Sequence, residues 1–182
     1  MILIVGFSEG QAQWRTHGID SLSQGARGLF IRAIPGPGVA LKDTTVRLSS
    51  ESFRMESEIR WTTADPPEAV FLVWGRDSAV GIAGYHFGNQ HLFMGRPTPQ
   101  ADPEALSPAT LPLSRKHVQV VPRKKRVFIK WEYRAAKGVI RLEVNGVPLE
   151  INQPYPIDTI DKFGLGIQDG AATFQRIQIG WK

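Results

Sequence analysis

Few residues in this chain are of the types that carry out chemistry, and their spacing narrows the choice. His86 and His91 flank Phe87-Gly88-Asn89-Gln90. With Gly88-Asn89 as a two-residue turn, Phe87 faces Gln90 and His86 faces His91. Directly opposed hairpin positions hold their Cβ atoms about 5 Å apart on one face. Two imidazoles so placed can share a metal if a third ligand arrives, and Asp77 or His117 would have to supply it through tertiary folding. Polar side chains on an exposed sheet face account for the pair more simply, and no metal is expected.

Trp61, Trp74, Tyr85 and Trp131 are the aromatic side chains able to stack on the apolar face of a sugar ring. Trp61 and Trp131 lie on apolar strand faces and read as core. Trp74-Gly75-Arg76 reads as a strand end at a rim. Arg123-Lys124-Lys125-Arg126 is a basic run able to meet phosphates, an anionic membrane surface or an anionic glycan. No aromatic stacking motif accompanies it, and a solvated turn with gatekeeper charges explains it equally well. The net charge of +5 is therefore not read as a nucleic-acid signature. The chain has no cysteine, which excludes a disulfide framework, a thiolate metal site and a cysteine nucleophile. It also has no phosphate-binding glycine loop, no G-x-S-x-G elbow and no zinc-ligand spacing.

The elements that must position these residues are strands. Val127, Ile129, Trp131 and Tyr133 alternate with Lys130, Glu132 and Arg134, the period of a half-buried strand. Ala135 to Gly138 is a turn. Ile140, Leu142 and Val144 then alternate with Arg141 and Glu143 up to Asn145-Gly146, a type I′ hairpin signal. That turn sets the register: Val144 faces Val147, Leu142 faces Leu149 and Ile140 faces Ile151, with Arg141 opposite Glu150 on the other side. Pro148 has no N–H to give a further strand, which predicts a sheet edge or a bulge there. Phe53 to Trp61 alternates in the same way. Val70 to Trp74 is continuously apolar, as in a strand covered on both faces. Phe163 to Gln168 and Thr173 to Gly180 are closing strands around Asp169-Gly170. Arg96 to Pro122 contains Pro97, Pro99, Pro103, Pro108, Pro112 and Pro122 and reads as a long surface loop with short extended pieces.

No helix of ordinary length, internal repeat or domain boundary is evident, so the 182 residues are expected to form one all-β domain over 1–182. Half-apolar hairpins need a second layer, which predicts a two-sheet antiparallel sandwich. No segment approaches the roughly 18 apolar residues of a membrane span. Ile2 to Phe7 reads as a first strand rather than as the remnant of a signal or anchor.

Several segments resemble the concanavalin A-like jelly-roll sandwich and, within it, the 3-keto-disaccharide hydrolase domain family. Trp14-Arg15-Thr16-His17-Gly18 is similar to that family's opening W-x-x-x-G. Phe53 to Arg60 resembles its strand ending in an E-F-R triplet, and Gly84-Tyr85-His86-Phe87 resembles its G-Y-E-x-Q strand. Asn145-Gly146 matches its turn. Leu165-Gly166-Ile167-Gln168 followed by Phe174-Gln175-Arg176-Ile177-Gln178-Ile179 resembles its closing strands. There are departures. Val70 to Gly75 replaces the family's asparagine-serine-glycine and retains only the following arginine, Arg76. His86 stands where the family has glutamate, and Gly88 where it has glutamine. The E-x-D-x-x-E strand of the laminarinase-type relatives is approached only by Glu56-x-Glu58.

The resemblance implies a ligand site formed by Arg76, His86 and Gln168, with Trp74 as a nearby stacking surface. These are a cation, a donor-acceptor ring and an amide, suited to reading a sugar. A glycosidase usually needs two carboxylates, and the resemblance leaves one missing. The expectation is a non-catalytic module that binds a carbohydrate or another cell-surface ligand, extracytoplasmic, with no catalytic residue and no cofactor. A hydrolase acting on a 3-keto sugar derivative is the alternative.

Overall fold

The computed structural model describes residues 2–4, 14–47, 53–76, 79–95, 113–120, 125–152 and 159–181. Its strands, in chain order, are β1 (Ile2–Ile4), β2 (Arg15–His17), β3 (Ile19–Gly25), β4 (Gly28–Ala33), β5 (Pro37–Arg47), β6 (Phe53–Arg60), β7 (Ala69–Arg76), β8 (Ala79–His86), β9 (His91–Gly95), β10 (Leu113–His117), β11 (Arg126–Arg134), β12 (Val139–Val144), β13 (Val147–Asn152), β14 (Thr159–Gln168) and β15 (Ala171–Trp181). Sheet A runs β13-β12-β11-β6-β15-β4-β3, with β1 also on β15, and sheet B runs β10-β9-β8-β7-β14-β5-β2. Neighbouring strands pair antiparallel throughout. The helical content of the described residues is a single 3₁₀ turn, Ala135–Lys137, closed by Gly138 at φ 58°.

Local chemistry explains the pairing. Asn145 and Gly146 take φ of 48° and 85°, as a type I′ turn demands, and β12 meets β13 in the register read from the sequence, Val144 opposite Val147 and Leu142 opposite Leu149. β13 is the edge of sheet A. Pro148, which cannot donate to another strand, sits there with its carbonyl accepting from Lys116 Nζ at 2.9 Å.

The two sheets close on a shared core. Phe53, Met55 and Ile59 of β6 and Val127, Ile129, Trp131 and Tyr133 of β11 face Val70, Leu72 and Trp74 of β7 and Tyr85 of β8, all buried. The indoles of Trp74 and Trp131 meet across the interface with centroids 4.6 Å apart. Sheet B is also apolar on its other side. Val39, Leu41, Ala69, Phe71, Val73, Ile82 and Phe93 form a second buried cluster, which accounts for the unbroken hydrophobic run along β7. Phe71 lies close over the neighbouring strands there, and a Cβ added at Gly166 would collide with its ring. β14 and β15 are consecutive in sequence yet belong to different sheets, so the Asp169-Gly170 turn crosses from one sheet to the other at the ends of these strands. Asp169 holds that crossing to Gly36, just before β5: its Oδ1 accepts from the Gly36 N–H at 2.8 Å, and its own N–H donates to the Gly36 carbonyl at 2.9 Å.

Candidate functional site

One row of directly opposed residues crosses sheet B near one end. Gln168 on β14 faces Ala69 on β7, Ala69 faces His86 on β8, His86 faces His91 on β9, and His91 faces His117 on β10. Opposed residues in an antiparallel ladder share a face. All five side chains therefore lie on the side of the sheet away from sheet A, the side that also carries Phe71 and Phe93.

Glu68 ties the row together. It precedes β7, and its backbone is fixed from both sides: its N–H donates to the Gln168 carbonyl at 2.8 Å, and its carbonyl accepts from the Phe87 N–H at 2.8 Å. Its side chain then reaches along the row. Oε2 accepts from Gln168 Nε2 at 3.0 Å, and Oε1 stands 3.5 Å from His86 Nε2. His86 Nδ1 accepts the Asn89 N–H at 3.2 Å. In the neutral ring the proton is then on Nε2, the nitrogen that faces Glu68. The bond from Nε2 of Gln168 turns the carbonyl side of that amide away from Glu68. The result is an oriented set of carboxylate, imidazole and amide, in which Glu68 is largely exposed and His86 mostly buried.

The three imidazoles of the row lie side by side. His86 and His91 are stacked with centroids 5.3 Å apart and planes 21° apart, and His91 and His117 are 5.6 Å apart. The His86–His91 pairing follows the sequence pattern, and tertiary pairing of β10 with β9 brings in His117 as well. A metal needs nitrogens converging at about 2.1 Å on one point. A row spaced one strand at a time does not converge, and no metal-holding group of three or more histidines and carboxylates occurs among the described residues. Asp77 lies outside the described residues. His91, in the middle, is buried, and its Nδ1 has no hydrogen-bond partner among the described residues. Burial, foremost, and the neighbouring His86 hold its pKa below the ordinary histidine value, with smaller contributions from Arg115 and His117.

The structure brings together two of the four site residues read from the sequence. His86 and Gln168 share Glu68. Trp74 offers no stacking surface: it is fully buried between the sheets, packed on Trp131, because even-numbered positions of β7 point into the sandwich. Arg76 ends the same strand opposite Ala79, seven residues from Ala69, or about 23 Å along β7 at 3.3 Å per residue. Its side chain lies outside the described ones, and its position on the strand is too remote for it to join His86 and Gln168. Glu68 is the residue that the sequence reading missed. A charged residue between Pro66-Pro67 and the apolar start of β7 was the only local signal. Gly88 lies beside the pair: a Cβ there would stand 3.4 Å from His86 Cε1 and 3.5 Å from Glu68 Oε1, in ordinary van der Waals contact with both.

The fold is that of the concanavalin A-like sandwiches. Similar solved structures include the carbohydrate-binding module CBM66 from Bacillus subtilis (TM-score 0.67, 15% identity, covering 92% of this chain and 95% of that one). They also include a Bacillus subtilis protein of unknown function with a galectin-like fold (TM-score 0.58, 12% identity, covering 91% and 88%) and CG-16, a homodimeric agglutinin from chicken liver (TM-score 0.53, 11% identity, covering 78% and 99%). No protein-family model matches the chain, and no curated protein matches it. Among the described residues no helix is long and apolar enough to cross a membrane.

Proposed function

We propose that this protein is a carbohydrate-binding module that takes a glycan, as free saccharide or at a cell surface, at the Gln168–Glu68–His86 end of sheet B. The observation that carries this reading is the bridge made by Glu68. It holds an amide from β14 and an imidazole from β8 in one oriented array. A carboxylate accepts from sugar hydroxyls, an amide both gives and accepts, and an imidazole does either according to tautomer. Names among the structural neighbours, a carbohydrate-binding module and an agglutinin, agree with a sugar ligand. Trp74 and Arg76 take no part in this site. His117, exposed at the outer end of the row, extends it toward β10.

One observation favours a second reading, a hydrolase acting on a 3-keto sugar derivative. Glu68 supplies a carboxylate beside His86, in the region where the family resemblance had lost one. The exposed carboxylate of Glu68 is the group there that can accept a proton, because His86 Nδ1 is taken by the Asn89 N–H and its Nε2 faces Glu68. A single carboxylate does not complete the usual glycosidase pair, and binding without turnover remains the preferred reading.

The test is a glycan array, followed by a turnover screen on 3-keto glycosides. Binding that Gln168→Ala and Glu68→Ala weaken, while Glu56→Ala on the outer face of sheet A leaves it unchanged, is the expected result. Release of product at a rate abolished by Glu68→Gln would establish the hydrolase instead, and an array with no binder would end the glycan reading.

A further inference from the structure

Sheet A carries a second cluster on its outer face, and the inference from it does not rest on the glycan reading of sheet B. Over most of that face the charges match. Arg54 lies 3.9 Å from Glu56, Arg134 3.0 Å from Glu132, and Arg141 3.1 Å from both Glu143 and Glu150. Lys130 stands opposite Glu56 on one side and Glu143 on the other. At the Glu58 end the balance fails. Arg60 reaches Glu58 Oε1 at 2.6 Å, Arg126 reaches the same oxygen at 3.4 Å, and Arg176 reaches Oε2 at 3.5 Å. Three guanidiniums share one carboxylate. Burial alone would raise the pKa of Glu58, but the hydrogen bond from Arg60 and the charges of Arg60, Arg126 and Arg176 outweigh it and bring it down. Glu58 is therefore ionised at neutral pH, and the cluster keeps a surplus of two positive charges. Its two oxygens cannot engage all the donors of three guanidiniums.

The cluster opens into a cavity of about 450 Å³, in the range of small-ligand sites. Its lining includes Glu58, Arg126, Arg176, Phe128 and the Asn145-Gly146 turn. Two backbone features build it. β15 carries one extra residue between Gln175, opposite Glu58, and Gln178, opposite Glu56. Arg176 sits in that bulge at φ 51°, a region costly for a non-glycine residue, and its guanidinium is thereby turned toward Glu58. Asn145 grips Phe128 from the other side: its Oδ1 accepts the Phe128 N–H at 2.8 Å, and its N–H donates to the Phe128 carbonyl at 2.9 Å. Phe128 and Ile34 are the large apolar side chains left exposed among the described residues.

We propose that this cavity binds a sugar acid, with the ligand carboxylate held by Arg126 and Arg176 and the apolar face of its ring on Phe128. Planar guanidinium forks match a carboxylate in shape and charge. Glu58 already sits among them as a carboxylate, and an exposed aromatic ring beside the cations suits a pyranose face. The same surplus of charge would attract phosphate, so the test must separate the sources.

Isothermal titration of the whole chain with trigalacturonate, at low salt, is the experiment. Carboxyl-reduced trigalacturonate, inorganic phosphate and oligouridylate serve as comparison ligands. The expected result is binding of trigalacturonate with no detectable binding of the reduced trimer. Arg126→Ala and Arg176→Ala should each weaken it by about tenfold, the scale of one lost charge-assisted hydrogen bond, and Glu150→Ala, at the charge-matched end of the same face, should leave it unchanged. Amide resonances of Phe128 and Asn145 in the unmutated protein should shift on titration, a readout that needs no variant. The proposal is overturned by no binding of trigalacturonate, by phosphate or oligouridylate binding as tightly with the same arginine dependence, or by binding that His86→Ala abolishes and the arginine variants do not.

Discussion

Leu142 and Arg141 are neighbours in sequence that point to opposite sides of sheet A, so truncating each in turn measures the architecture directly. Leu142 is fully buried, with Trp131 opposite it on β11 and Leu149 on β13. Leu142→Ala deletes the three carbons beyond Cβ, worth about 2.4 kcal/mol at roughly 0.8 kcal/mol per buried carbon, and the residual cavity brings the loss to about 3 to 4 kcal/mol, inside the usual span of about 2 to 5. Arg141 bonds Glu143 and Glu150 at 3.1 Å, which raises its pKa, first through the Glu143 hydrogen bond, against a partial penalty from burial. These pairs are accessible to solvent, and such pairs contribute about 0 to 1 kcal/mol after screening. Arg141→Ala should therefore cost under about 1 kcal/mol. Urea unfolding monitored by tryptophan fluorescence gives both values. Equal losses would mean that the assignment of faces is wrong, and with it the placement of the core between the sheets.

Two further expectations concern buried polar groups. The folded state holds the His91 pKa below its ordinary value, so as pH falls below about 6.5 the unfolded chain takes up a proton that the folded chain resists. His86, His117 and Arg115 surround His91 and worsen that uptake, and unfolding free energy should decline through this window. In His91→Gln the decline should be shallower, as urea midpoints at pH 7.5 and 5.5 would reveal; an unchanged slope would remove His91 as its cause. Ser57, fully buried, donates from Oγ to the Gln175 carbonyl at 3.0 Å beside the β15 bulge. Ser57→Ala leaves that carbonyl without this donor and should cost about 1 to 3 kcal/mol, whereas a loss near zero would show that the carbonyl finds another donor.

What could be read from the sequence was whatever one or two neighbouring strands determine. The Asn145-Gly146 turn fixes the β12–β13 register by itself, because φ above zero at both residues leaves no other two-residue loop. His86 opposite His91 follows from the spacing of one hairpin. The apolar run of β7 announced a strand covered on both sides. Features that depend on sheet order were hidden. Glu68 and Gln168 lie 100 residues apart and meet only because β14 pairs with β7. His117 joins the histidine row through the pairing of β10 with β9. Trp74 and Arg76 looked like a rim because they end an apolar run. Strand parity instead sends Trp74 into the core, and strand length carries Arg76 far from His86. Ser57 breaks the apolar alternation of β6 for a reason visible only once the β15 bulge is beside it.

The glycan reading is tested most directly by titrating the strongest array ligand into the wild-type chain and into His86→Ala and Gln168→Ala. Each variant deletes one member of the array organised by Glu68, and neither residue is part of the core between the sheets. Each should weaken binding by about tenfold or more, as expected when a buried or oriented polar partner is lost, with the variants still folded by circular dichroism. Affinity unchanged in both variants, with the protein folded, would place the ligand elsewhere and contradict the account.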